Sequence, residues 1–321
     1  MGGFGLCTPR TQAGDTQKHN CANSVPDIVP SRLAPDVWGE MAILSIQSQV
    51  AAGHVGNSAA VFALQRRGRE VWPIPTTLLS HHPGHGGSEG GPLPAVLLNR
   101  ILDGLLNHGC FSRCEAVLSG YLGHADAAAT VLRAVELAKT GSPGAVYLCD
   151  PVLGDDGRLY ASGEIVAAMH NLAAKADIIT PNAFELSILT GVACDTRGDA
   201  LRAMRLLQSK GPDIVLLSSF AGSDTAPGTL DMLALDGTAA WALSIPELGR
   251  KFYGAGDLFA CLFLDAWLES RSTVGALGKA CAAVQAVLVQ TAAANADELQ
   301  LIQAQALLAA PRQIFLSERI S

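Results

Sequence analysis

The sequence predicts an α/β fold: a mostly parallel central sheet with helices on both faces. Three observations predict it. From residue 41 onward, apolar runs of strand length alternate with stretches of helical periodicity, the rhythm of successive βαβ units. Nearly half the residues are apolar and only 16% are charged, so a sizeable core is available. Polar signatures fall at the ends of the apolar runs: Ser48, Gly120-Tyr121, Asp150, Asn182 and Ser218-Ser219. In such sheets, ligands bind beyond the carboxyl ends of the strands.

The elements follow in order. Residues 42–46 read as a buried strand, 57–65 as a helix and 70–74 as a second strand. A Gly/His/Pro-rich loop occupies residues 80–94. Residues 95–107 are helical, 116–119 a strand, 125–139 a helix and 145–149 a strand. A helix over 164–175 leads to a short strand at 177–180, then two helices and a strand at 214–217. Residues 229–235 and 239–245 read as a hairpin around Asp236-Gly237, a strong turn signal. Two helices rich in alanine and leucine finish the core. There is no internal repeat, so residues 41–321 read as a single domain. Residues 1–40, with little periodicity, read as a flexible extension that lacks the apolar core of a secretory signal.

Composition narrows the partners. The net charge is −7 and no lysine- or arginine-rich run occurs, which argues against nucleic acid. The eight cysteines are scattered, form no CxxC pair and read as reduced thiols of a cytoplasmic protein. Apolar stretches such as residues 281–289 are too short and interrupted to span a membrane.

The chemistry concentrates at Phe252-Tyr253-Gly254-Ala255-Gly256-Asp257-Leu258-Phe259. Glycines there permit a sharp turn and close approach of a phosphate, and the helix that follows opens with unpaired N–H groups and partial positive charge. A carboxylate beside a bound anion repels it unless it has a task, such as taking a proton from an attacking hydroxyl. Asp257 is therefore either a catalytic base or a helix cap. Two common nucleotide motifs are absent: Gly278-Lys279-Ala280 does not complete a GxxxxGK[ST] loop, and no early strand is followed by GxGxxG. Asp150 and Asp155 bracket a turn after a buried strand, where they could hold a cation or simply face solvent. Asn182 and Glu185, three apart at a helix start, match a capping box.

Six segments in order resemble the ribokinase-like superfamily, and within it pyridoxal kinases. They are Leu44-Ser45-Ile46-Gln47-Ser48, Gly53-His54-Val55-Gly56-Asn57, Leu118-Ser119-Gly120-Tyr121, Cys149-Asp150-Pro151-Val152-Leu153-Gly154-Asp155, Thr180-Pro181-Asn182-Ala183-Phe184-Glu185 and Gly254-Ala255-Gly256-Asp257-Leu258-Phe259. The resemblance implies an ATP-dependent kinase of vitamin B6 salvage that phosphorylates the 5′-hydroxyl of pyridoxal, and of pyridoxine and pyridoxamine. It implies that Asp257 is the base and that Gly254, Ala255 and Gly256 form the anion hole. It places Asp150, Asn182, Glu185, Ser218, Ser219, Gly254, Gly256 and Leu258 around ATP, and Asp150, Asp155 and Glu185 around Mg²⁺, with K⁺ or Na⁺ as a further cation. Ser48, Val55, His82, Tyr121 and Asp257 would meet the vitamer. Residues 156–160 resemble a mobile lid, and the family implies a homodimer.

The chain departs from the family in one loop, Leu79-Ser80-His81-His82-Pro83-Gly84-His85-Gly86-Gly87-Ser88. Pro83 stands where a threonine is usual and Ser88 where a tryptophan is expected; Gln49 replaces a usual histidine. The histidines of this loop lack a partnering carboxylate pattern for zinc. The rival readings are a hydroxymethylpyrimidine kinase of thiamin synthesis, which shares the glycine–aspartate motif, and a non-catalytic vitamin B6-binding protein.

Overall fold

The computed structural model describes residues 41–320; the extension read at residues 1–40 lies outside the described residues. In chain order the elements are β1 (Ala42–Val50), α1 (Asn57–Arg66), β2 (Glu70–Leu79), β3 (Gly90–Pro92), α2 (Ala95–Asn107), β4 (Cys114–Ser119), α3 (Ala127–Gly141) and β5 (Val146–Cys149). There follow a small hairpin of β6 (Gly154–Asp155) and β7 (Arg158–Leu159), α4 (Gly163–Ala173), β8 (Ile178–Ile179), α5 (Ala183–Thr190), α6 (Arg197–Gln208) and β9 (Ile214–Phe220). The remainder is β10 (Thr229–Asp236), β11 (Ala239–Pro246), α7 (Ala255–Ser270), α8 (Thr273–Ala293), α9 (Leu301–Ala309) and β12 (Glu318–Arg319).

Ten strands form one sheet in the order β12-β11-β10-β9-β8-β5-β4-β1-β2-β3. The six from β9 to β2 run parallel, and antiparallel strands flank them at both margins. Successive side chains of each parallel strand point to opposite faces, so continuous apolar runs are what two buried faces require. Leu44 and Ile46 of β1 pack with α2 to α6; Ile43 packs on the opposite face with α1, α7, α8 and α9. Each fully buried Leu, Ile or Phe contributes roughly 1.5–3 kcal/mol, so these two layers dominate the stabilisation.

Several elements differ from the sequence reading; β1 and β9 run longer than read, to Val50 and Phe220. β2 runs on to Leu79 although Pro73 and Pro75 lie inside it. Its second neighbour, β3, meets it only at Thr77 to Leu79, so the prolines sit on an open edge where no N–H donor is needed. A third terminal helix, α9, follows the two expected ones; its Leu301, Ala304 and Leu308 are buried against α1 and α8. α8 is longer than its apolar run suggested, and by length and hydropathy it could cross a membrane. Its packing against α7, α9, β10 and β11 accounts for that composition as a core helix.

Candidate active site

The parallel strands end on a continuous polar ledge. Gly120 donates its N–H to Ile46 O (3.2 Å), Asp150 to Ser119 O (2.8 Å), Thr180 to Cys149 O (3.1 Å) and Ser218 to Pro181 O (3.1 Å). The first three bonds continue the sheet ladder one residue past β4, β5 and β8, and the fourth lies near the end of β9, which together fix Tyr121, Asp150, Asn182 and Ser218 in a row. At the end of β9 the register against β10 slips, and Ser219 adopts φ 54°. A left-handed serine costs on the order of 1 kcal/mol and turns its side chain out of the sheet toward the cleft.

α7 starts below this ledge. Gly254 caps it at φ 84° with no side-chain hydrogen bond. A Cβ on Gly254 would lie 2.2 Å from His54 O, so only glycine fits between the two turns. A Cβ on Gly256 would meet nothing within 4 Å, so the helix start is open at that residue, while the Ala255 N–H reaches Phe252 O at a long 3.4 Å. Asp257 is half-buried in that first turn. Burial pushes its carboxyl up, opposed by a backbone hydrogen bond from Gly56. Leu258 is buried behind it and anchors the helix in the core rather than facing the cleft.

Asp150 is 6% exposed and accepts a hydrogen bond from Thr180 Oγ1 (2.8 Å). Burial, and then the negative charge of Asp257, push its carboxyl up to about 7; Thr180 works against them. The two aspartates thus share one electrostatic environment, and an added cation would relieve both. Glu185 is also buried and raised, by burial first and Asp150 second. Its oxygens accept the N–H of Asn182 (2.9 Å) and of Leu153 (3.0 Å), while Asn182 Oδ1 accepts the Glu185 N–H (2.9 Å). The capping box is therefore present, and it also fastens the turn that carries Asp150. Asn182 adds a bond from Nδ2 to Gly154 O (2.9 Å). Asp155 faces outward and pairs with Lys251 Nζ at 2.6 Å. Among the described residues, no three acidic, histidine or cysteine side chains converge as a metal cage. Asp150, Asp155 and Glu185 thus line successive parts of one turn rather than one coordination sphere.

On the other side of Asp257 stand the residues expected to meet the vitamer. Gly56 packs directly on Ser48, since a Cβ there would lie 2.2 Å from Ser48 O and 2.5 Å from its Oγ. Ser48, Gly56 and Asp257 are consequently contiguous. Val55 is buried in the same turn and supports it from below. Tyr121 is half-buried, burial pushes its phenol up, and Thr76 Oγ1 donates to its carbonyl (2.6 Å). His82 stacks on Tyr253 with ring centroids 4.2 Å apart. Burial and the neighbouring His85 push the His82 imidazole down, so it is neutral near pH 7 and its Nδ1 accepts the Gly84 N–H (3.0 Å).

Four residues that sequence reasoning passed over complete the site. Thr180 orients Asp150; Lys251 holds Asp155; Tyr253 carries His82; Glu298 accepts the His54 N–H (3.0 Å) and meets His85 Nε2 (2.7 Å). Thr180 and Tyr253 carried local signals, a strand end and a place beside the glycine turn; Lys251 and Glu298 carried none. A cleft beside the glycine turn is lined by Ser218, Ser219, Met232, Pro246, Phe252 and Gly256. Its apolar wall next to open helix amides suits a flat ring joined to phosphates.

Known proteins resemble this chain in sequence and fold. The model of the phosphomethylpyrimidine kinase family matches residues 91–301. The chain is 40% identical over 283 residues to a pyridoxal kinase of Corynebacterium diphtheriae, covering 88% of this chain and all of that one. It is 42% identical over 286 residues to a pyridoxal kinase of Rubrobacter xylanophilus, covering 88% and 99%. The structure of Leishmania donovani pyridoxal kinase with ADP and pyridoxamine superposes with a TM-score of 0.81 at 32% identity, covering 88% of this chain and 100% of that one.

Proposed function

The chain belongs to the phosphomethylpyrimidine kinase family and is a pyridoxal kinase, and we propose that it transfers the γ-phosphate of ATP to the 5′-hydroxyl of pyridoxal at Asp257. In this reading Asp257, ionised, takes the hydroxyl proton as the oxygen attacks. Its raised pKa brings it closer to the operating pH than an ordinary aspartate, which favours proton transfer. The amides of Gly254, Ala255 and Gly256 receive the charge on the transferring group, and the open face at Gly256 admits it. Ser218 and Ser219 offer hydroxyls to the phosphates, and the cleft beyond them takes the base of ATP. Ser48, Tyr121 and His82 border the ring of the vitamer, and pyridoxine and pyridoxamine carry the same reacting hydroxymethyl group.

The donor set also fits Mg²⁺. Asp150 is a buried carboxylate, and the charges it interacts with, Asp257 and Glu185, are carboxylates too. Mg²⁺ typically uses one or two carboxylates and completes its shell with water and phosphate oxygens. Asp150 would hold it, with Glu185 and Asp155 acting through water, and it would neutralise charge on the phosphates. K⁺ or Na⁺ would act beside it, testable by exchanging the two salts. The homodimer is supported by the exposed Val96, Leu97 and Ile101 on α2; light scattering should give twice the 33.3 kDa chain mass.

The observation that carries this reading is the position of Asp257, between the open amides of α7 and the Ser48–Gly56 contact. The test is turnover of Mg-ATP with pyridoxal and, in parallel, with hydroxymethylpyrimidine. Pyridoxal 5′-phosphate as the main product is the expected result. A preference for the pyrimidine would move the chain to thiamin synthesis, and tight vitamer binding with no product would make it a binding protein.

A further inference from the structure

The residues just before the glycine turn reach three different walls of the site. Arg250 fixes the segment itself: its Nη2 donates to Ala296 O (2.9 Å) and pairs with Asp297 (3.1 Å), and its guanidinium lies over the Phe252 ring. Lys251 spans to the β6–β7 hairpin, with Nζ 2.6 Å from Asp155 and 3.1 Å from Asp156. Phe252 lines the nucleotide cleft. Tyr253 packs into the loop that departs from the family, and its ring also lies 6.0 Å from Lys251 Nζ. His82 stacks on its ring, His85 meets it edge-on at 5.4 Å, and Gly84 lies so close that a Cβ there would be 2.3 Å from the ring.

We infer that Lys251 and Tyr253 are positioning residues that fasten two separate covering segments to one anion-hole turn. Lys251 holds the β6–β7 hairpin over the phosphate side; Tyr253 holds residues 80–86 over the vitamer side. The strength of each hold is matched to what it holds. The hairpin pairs by only two residue pairs, so even a half-exposed ion pair biases its position. The 80–86 loop contains Pro83, three histidines and two glycines with little core of their own, so the Tyr253 ring, beside the His85–Glu298 contact, is what it packs on. Both holds spring from one segment and meet each other, with Lys251 Nζ 6.0 Å from the Tyr253 ring centroid, so the two covers stay in register with each other and with Asp257. The kinetic part of this inference rests on the kinase reading; the structural part does not.

The test uses the full chain with Tyr253→Ala, Tyr253→Phe, Lys251→Met and Lys251→Arg. Hydrogen exchange in the ligand-free protein is read over residues 80–90 and 153–160, together with KM for each substrate. Tyr253→Ala should speed exchange in residues 80–90 more than in residues 153–160 and raise KM for pyridoxal about fivefold. Lys251→Met should speed exchange in residues 153–160 more than in residues 80–90 and raise KM for ATP about threefold. Tyr253→Phe and Lys251→Arg should restore the native values. The inference is overturned if either variant loosens both segments equally, loosens neither, or shifts kcat with both KM values unchanged. If the native protein does not phosphorylate pyridoxal, the exchange pattern alone decides, and the kinase reading fails separately.

Discussion

At the scale of single residues, Asp150 sets activity against stability. Its carboxyl has a pKa of about 7 in the folded chain against an ordinary 3.8, so the native state keeps a proton that the unfolded chain has released. The stability this provides is complete below the unfolded value and is lost as pH rises through the folded one. At pH 8 the ligand-free protein therefore carries an uncompensated buried charge. Asp150→Asn should raise stability at pH 8 by about 2–4 kcal/mol and give little gain at pH 4, read by urea denaturation at both values. The same variant should lose activity, since the charge that destabilises the empty site is the one that attracts a cation. Asp257 is raised in the same direction, so kcat/KM should increase with pH along an acid limb lying above the ordinary carboxylate range. Because the two aspartates interact, the limb reports the pair rather than either residue. A limb centred near 3.8 would contradict the buried-pair account. Asp257, Asp150, Asn182 and Glu185 are legible in the sequence because each sits in a short motif whose geometry is local. Lys251 and Glu298 are not, because their partners lie 95 and 213 residues away in the chain and nothing local marks the pairing.

At the scale of elements, α7 joins the chemistry to the core. Its first turn presents Asp257 and open amides, while Leu258 to Leu264 are buried without interruption. Truncating Phe263, which is fully buried, should cost about 3–5 kcal/mol. If α7 is as well packed as the structure indicates, Phe263→Ala shifts the denaturation midpoint without changing KM for either substrate in the folded protein. Element order and type are legible from periodicity: α2 matches its expected bounds, and the β10–β11 hairpin follows its Asp236-Gly237 turn. The ends are less so. β1 continues through Gln47, Ser48 and Gln49 because β2 pairs with it there, a tertiary fact that polar residues conceal. α9 escapes notice because its burial depends on α1 and α8, not on a marked pattern of its own.

At the scale of the whole molecule, one twisted sheet brings six strand ends to a common ledge, and the helices on its two faces hold that ledge in place. In the proposed reading the ledge supplies phosphate contacts and the cation environment, and the 80–90 loop and the β6–β7 hairpin cover it. The ledge is readable from sequence because strand ends carry their signatures in order. The covers are not, since their positions depend on contacts across the cleft. The most direct measurement of the central claim is single-turnover transfer from ATP to pyridoxal by Asp257→Asn, with the affinity for both substrates measured on the same variant. The account predicts a loss of 10²–10⁴-fold, roughly the worth of a positioned base, with both affinities within a few-fold of native. Native transfer rates in the variant would contradict it.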